Sequence, residues 1–158
     1  MTAESSLDRI DRRILRTLQA EGRITNAALA QRVGLSESAC LARVRRLERA
    51  DVIQGYHARL DPFKVDIGLV LLVEVALEGR QRDERQRFER AIRDIPQIVE
   101  ASHVSGDTDY VLKVVVRTMP EWNDLKDRLA GEVGLGRITT HVVMGKPKVF
   151  EGYPVADG

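Results

Sequence analysis

The sequence predicts an α+β chain in two parts: three helices, then a sheet assembled in the order β-α-β-β-α-β. Three observations carry that reading. Apolar residues recur at helical spacing through residues 7–51, and arginines crowd one side of the third helix. After residue 67, four short β-prone runs alternate with turn residues and two charged helical stripes. Charge divides in the same way, residues 1–60 carrying a net +4 and the remainder −3, although the whole chain is only +1.

In the first helix, Leu7, Ile10, Ile14, Leu15 and Leu18 form a stripe that can cover two further helices. Asp11 lies within that stripe, where an unpaired carboxylate is costly. Either it pairs with Arg43, at the edge of the third helix's inner face, or it stays solvated near the first turn, where the helix dipole favours it. Thr25 is an N-cap for the second helix, whose narrow apolar edge is Leu29 and Val33. Gly34 can take the positive φ that ends it, and Leu35 follows as a plug. Ser36 caps the third helix, which runs to about Asp51. At 100° per residue, Cys40, Val44 and Leu47 share its inner face, while Ser38, Ala42, Arg45, Arg46 and Arg49 project from the opposite side.

A short helix, a tight turn and a longer basic helix form a helix-turn-helix, the geometry that enters the DNA major groove. Small residues near the helix start allow close approach to base edges, and arginines reach guanine or phosphate. The candidate contacts to double-stranded DNA are Thr25, Ser36, Glu37, Ser38, Leu41, Ala42, Arg45, Arg46 and Arg49. The same face equally suits an ordinary solvated amphipathic helix, and the pattern alone leaves both readings open.

Residues 54–60 (QGYHARL) alternate as a strand until Asp61-Pro62, because proline has no N–H to donate to a ladder. The division is a reading domain at residues 1–53, a β-strand linker at 54–66, a second domain at 67–146 and a tail at 147–158. Residues 69–77 (LVLLVEVAL) read as a buried strand with Glu74 on its open side. Residues 82–95 read as a charged helix with Phe88, Ala91, Ile92 and Ile95 inward, stopped by Pro96. Residues 98–104 and 110–116 read as antiparallel strands joined through Gly106-Asp107-Thr108-Asp109. Pro120 opens a helix with Trp122, Leu125 and Leu129 inward, and residues 138–144 are the last strand. This order is the ferredoxin-like split motif, with both helices on one sheet face. Apolar residues on the other face predict dimerisation, which would set two reading helices on neighbouring half-sites.

With 43% hydrophobic and 31% charged residues, a disordered chain is excluded. Cys40 is the sole cysteine, so no intrachain disulfide forms, a pattern suited to a reducing cytoplasm. Its place on a helix's inner face favours packing over nucleophilic chemistry. The opening MTAESSLDRID lacks the apolar run of a signal peptide, and the longest apolar stretch, residues 69–73, is too short to span a bilayer. A soluble cytoplasmic protein without membrane association is expected. The candidates for catalysis are His57, His103, His141 and Cys40, and they form no metal-ligand or nucleophile–base spacing; P-loop and GxGxxG patterns are absent. The expectation is no enzyme, no metal and no cofactor.

Three segments in this order, LDRIDRRIL at residues 7–15, LSESACLARVRRLERADVIQGY at 35–56 and VSGDTDYVLKV at 104–114, resemble the Lrp/AsnC (feast/famine) family of transcription regulators. The resemblance covers nearly the whole chain, and the second and third segments look closest to the leucine-responsive branch. It implies an N-terminal winged helix-turn-helix domain joined by a β-strand linker to a C-terminal ferredoxin-like βαββαβ (RAM/ACT-like) domain. It also implies homodimers that assemble into octamers or related rings, and a small amino-acid effector that shifts assembly and DNA affinity. On matching positions, Gly106, Asp107, Thr108 and Asp109 would form part of the effector pocket, together with His103. Backbone N–H groups of the turn can hold a carboxylate, and Asp107 or Asp109 can receive an ammonium group. Thr139 and Thr140 would contribute hydroxyls from a neighbouring subunit. Gly106-Asp107 would serve as readily in a plain hairpin turn. Thr108 stands where an aromatic is common in that branch, and the tail departs from it and is expected to be partly disordered. The rival reading is an amino-acid-sensing oligomeric module that makes no direct contact with DNA.

Overall fold

Asp8 and Asp11 start the chain's first helix by capping each other. The Asp8 carboxylate accepts the Asp11 N–H at 2.8 Å, and the Asp11 carboxylate accepts the Asp8 N–H at 3.1 Å. In the computed structural model, which describes residues 7–79 and 82–156, this box opens α1 (Arg9–Ala20). Residues 1–6 of the predicted reading domain, and with them most of the opening segment, lie outside the described residues, as do residues 157–158 of the tail. The chain divides into two units: Met1–Arg59 with Lys148–Gly158, and Leu60–Pro147.

In the first unit, the Thr25 hydroxyl caps α2 (Asn26–Val33) by accepting from the Ala28 N–H. Gly34 ends α2 with φ 75°, a left-handed conformation that glycine takes without a Cβ clash. Ser36 caps α3 (Glu37–Arg49), and the Asn26 side chain donates to the Glu37 carbonyl at 2.9 Å, tying one helix start to the next. Ile14, Leu15, Leu29, Ala30, Val33, Cys40 and Leu47 fill the core between the three helices, with Leu35 and Val44 at its margin.

Asp11 is 1% exposed and pairs inward rather than facing water. Its Oδ1 accepts from Arg43 Nη1 at 2.9 Å, and its Oδ2 accepts from Arg46 Nη2 at 2.5 Å. Arg43 Nη1 also reaches Asp8 Oδ2 at 2.6 Å. The Asp11 N–H and the Arg43 guanidinium hold the Asp8 carboxyl below the usual carboxylate range, and Asp8 and Asp11 push the Arg43 pKa up. A buried carboxylate thus fixes the rotation of α3 about its own axis.

Residues 54–60 correct one expectation, since they form no strand. Alternation specifies which side chains share a face but supplies no partner edge, and every described strand belongs to the sheet of the second unit. Pro62 opens a single 3-10 turn (Pro62–Lys64), capped by Asp61. The tail also differs from its expected disorder. Residues 148–156 fold back into the first unit, where Val155 packs against the three-helix core.

The second unit runs β1 (Leu69–Leu77), α4 (Arg82–Arg93), β2 (Ile98–His103), β3 (Tyr110–Val116), α5 (Met119–Val133) and β4 (Leu135–Val142). The sheet order is β2-β3-β1-β4 with every pairing antiparallel, which is the ferredoxin-like arrangement. Leu71, Val73, Val75 and Leu77 of β1 and Tyr110, Leu112, Val114 and Val116 of β3 face the helices. There they meet Phe88 and Ile92 of α4 and Trp122, Leu125 and Leu129 of α5. β4 starts earlier than expected because Gly134, at φ 59°, turns the chain from α5 straight into the strand. The open face is mixed rather than uniformly apolar. Leu72, 43% exposed, lies between Lys113 and His141, and Glu74 lies between Val111 and Thr139.

Tyr110 packs on Phe88 with ring centroids 4.6 Å apart and donates its hydroxyl to Glu89 at 2.8 Å. Burial, with Glu89 beside it, pushes its pKa from 10.0 up to about 12. A raised acid pKa in the fold means stability that is complete below pH 10 and is lost as pH climbs from 10 toward 12. Tyr110→Phe is expected to flatten that alkaline decline in the thermal midpoint of the second unit; an unchanged slope would assign the decline elsewhere. Asp11→Ala strands two guanidiniums, and it is expected to weaken the first unit by about 2 kcal/mol, less than for a fully buried pair because both arginines keep some water. Hydrogen exchange of the α1–α3 core amides reads that loss directly, and unaltered protection would show that the cluster contributes little.

Candidate DNA-reading face and effector turn

With Arg43 turned inward, α3 presents Ser38, Ala42, Arg45 and Arg49 as one exposed stripe at spacings of four, three and four. The small side chains lie in the first two turns and the arginines follow. Among the described residues, neither Arg45 nor Arg49 has a hydrogen-bond or ion-pair partner, so both guanidiniums are available to an outside anion. Leu41, 38% exposed, borders the stripe and offers apolar contact of the kind a thymine methyl accepts. Glu37 is exposed in the first turn.

Thr25 and Ser36 have a structural use, since each hydroxyl accepts an N–H of its own helix's first turn. The Ser36 and Ser38 hydroxyls are 3.3 Å apart. Arg46 differs most from its sequence grouping with the outward arginines. It lies three positions from Arg43, about 60° around the helix, and it straddles the boundary: exposed along its length, with one terminal nitrogen on Asp11. The apolar stripe alone does not locate this partner. The signal that finds it is the buried Asp11, which needs more than one cation.

At the second candidate site, the Val104 N–H donates to the Asp109 carbonyl at 2.9 Å and closes the β2–β3 turn. Gly106 has φ 118°, and a Cβ there would meet open space, so its backbone is approachable. Asp109 is committed to β1: its N–H donates to Val75 and its Oδ2 accepts from the Leu77 N–H at 2.9 Å. Asp107 is exposed, with its backbone carbonyl accepting from Arg137 Nη2 at 3.3 Å, and Thr108 is half-buried.

The two threonines separate. Thr140, paired with Val73, faces the helices and accepts the Trp122 indole N–H at 3.1 Å. Thr139, paired with Glu74, is on the open face. His103 closes β2 on the helix side, 5.1 Å from the Tyr110 ring. Arg137 is the residue the motif reading missed; strand alternation places it with Thr139 and His141. Within the second unit the two catalytic candidates stay apart. Cys40 is buried and its thiol pKa pushed up by that burial, while His103 and His141 occupy opposite edge strands, His141 beside Glu74 at 3.3 Å. No helix among the described residues is long and apolar enough to cross a membrane.

Known proteins agree with this architecture. Residues 7–54 match the winged helix-turn-helix DNA-binding family, and residues 70–152 match the Lrp/AsnC ligand binding domain. The leucine-responsive regulatory protein of Escherichia coli K12 is 45% identical over 143 residues, covering 90% of this chain and 87% of the relative. A transcriptional regulator from Neisseria meningitidis, solved as a complex with L-Met, superposes with a TM-score of 0.86 at 32% identity, over 94% of this chain and 97% of that one. The leucine response regulatory protein of Mycobacterium tuberculosis superposes with a TM-score of 0.84 at 32% identity, over 95% and 100% of the two chains. Matched in both halves and along nearly its whole length, the chain belongs to the Lrp/AsnC family of DNA-binding transcription regulators.

Proposed function

We propose that this regulator reads its operator with the outer stripe of α3, and that an amino acid at the Gly106–Asp109 turn tunes its assembly and DNA affinity. Ser38, Leu41 and Ala42 approach base edges, and Arg45 and Arg49 contact guanine or phosphate. Thr25 and Ser36 cap the helix starts, whose remaining backbone N–H groups favour a phosphate, while the exposed Glu37 carboxylate can accept from a base amino group. Arg46 serves DNA through its position: it anchors α3 on Asp11 and adds positive charge beside the groove. The single observation that carries this reading is the division of α3's arginines, with Arg43 drawn to Asp8 and Asp11 while Arg45 and Arg49 remain unpartnered among the described residues.

The effector is an α-amino acid, a class supported by the L-Met complex of the Neisseria relative. Its carboxylate is held by N–H groups of the turn near Gly106, and its ammonium by Asp107, since the Asp109 carboxylate is occupied by Leu77. Thr108 and His103 flank the turn, Thr139 on the open sheet face contributes its hydroxyl from a neighbouring subunit, and Thr140 supports that strand by holding Trp122. The protein acts in the cytoplasm, as a binder rather than a catalyst. Homodimers form through the open sheet face and assemble to an octamer or similar ring, so several reading units engage one DNA and raise affinity through effective concentration. The effector shifts that equilibrium only by its different affinity for the two assemblies.

Arg45→Ala and Arg49→Ala are each expected to weaken operator binding by about 1–3 kcal/mol, or, if the contact is to phosphate, to lower the salt slope by about one. Mobility shifts at two salt concentrations separate the cases. Unchanged binding in both variants would favour the sensing module that does not touch DNA. Saturating L-methionine or L-leucine is expected to raise the thermal midpoint, since a ligand at a hundred times its Kd adds about 2.7 kcal/mol. Asp107→Ala is expected to abolish that rise, and a rise that persists would place the ammonium elsewhere.

A further inference from the structure

The tail does more than end the chain. Gln19, in the last turn of α1, grips the backbone of Tyr153 at both polar groups. Its Nε2 donates to the Tyr153 carbonyl at 3.0 Å, and its Oε1 accepts the Tyr153 N–H at 2.6 Å. Gly152 makes the approach possible on two counts. Its φ is +127°, and a Cβ there would lie 2.5 Å from Gln19 Oε1. Phe150 packs edge-on against Tyr153 at 5.0 Å, its carbonyl accepts from Arg59, and Val155 meets the three-helix core. A segment with a two-point amide clamp, a required glycine and an apolar anchor is a built contact.

We propose that residues 148–156 are a strap that completes the DNA-reading unit, and that Gln19 is a positioning residue for DNA binding. The inference rests on the α3 reading above. Gln19 lies eight residues, roughly 12 Å of helix, from Asp11 on the same rigid α1. The strap therefore holds one end of the helix whose other end sets the rotation of α3. The strap also follows closely on the sheet: the Val143 N–H is still bonded to Val70 on β1, leaving residues 144–147 between sheet and strap. The reading unit is consequently tied to the effector half by two stretches of chain, and a disturbance of β4 passes along residues 144–147 to the strap and from there to α1 through the two Gln19 hydrogen bonds.

The test uses the full chain with Gln19→Ala and Gly152→Ala, and Gly145→Ala as control, since a Cβ at Gly145 meets nothing within 4 Å. Hydrogen exchange without DNA follows the Tyr153 amide. Binding to a duplex selected from random-sequence DNA by the unmodified protein is measured well below either unit's unfolding temperature. Both variants are expected to speed Tyr153 exchange roughly 30-fold, the loss of two net hydrogen bonds. They are also expected to weaken DNA binding about three- to tenfold with an unchanged salt slope, because neither residue touches phosphate. The control is expected to match the unmodified protein. Tyr153 exchanging as fast as a free peptide in the unmodified protein would overturn the strap. Its release without loss of DNA affinity would overturn the positioning role. Failure of the α3 reading shows separately, as Arg45→Ala and Arg49→Ala variants that bind DNA normally.

Discussion

One carboxylate governs the reading half. Asp11 is buried within the apolar stripe of α1 and carries a charge that must be answered in place. Arg43 and Arg46 answer it from α3, and Asp8 extends the cluster at the margin. A buried ion cluster adds little net stability over well-packed apolar residues of the same size. Its value here is geometric. Leu47 and Cys40 seat the inner face of α3 in the core, and two guanidiniums on one carboxylate narrow its rotation further.

That constraint makes the outer face of α3 usable. Of its four arginines, Arg43 points to the cluster, Arg46 is tied at one nitrogen, and Arg45 and Arg49 are left outward with Ser38 and Ala42 between the helix start and their guanidiniums. A helix whose arginines were all solvated would be a diffuse basic surface, attracting phosphate without register. The division of labour turns the same composition into an oriented one. In the second unit the same logic separates neighbours: Thr140 supports Trp122, Thr139 is on the open face, and Asp109 braces β1 while Asp107 remains exposed.

Much of this was readable in the residues. Thr25, Gly34 and Ser36 bound their helices because capping is local chemistry, and the strands at residues 69–77 and 110–116 are legible because turn signals bound their β-prone runs. The sequence leaves Asp11 either paired with Arg43 or solvated, and its burial selects the pair. What was hidden depended on contacts distant in sequence. Residues 54–60 alternate like a strand but find no edge in the chain, and the tail's polar, glycine-containing sequence reads as loose until Gln19, far upstream, is brought to Gly152 and Tyr153. Helical angle groups Arg46 with the outward arginines because it cannot register a partner on another helix.

In the proposed division of labour, α3 keeps Arg45 and Arg49 free for DNA while Arg43 is engaged from within. Phenylglyoxal modification of arginines, quantified by mass spectrometry with and without operator DNA, tests it most directly. Arg43 is expected to react slowly in both states, whereas Arg45 and Arg49 are expected to react readily in the free protein and to become protected on DNA. Arg45 and Arg49 remaining equally reactive in the DNA complex, or already protected without DNA, would contradict it.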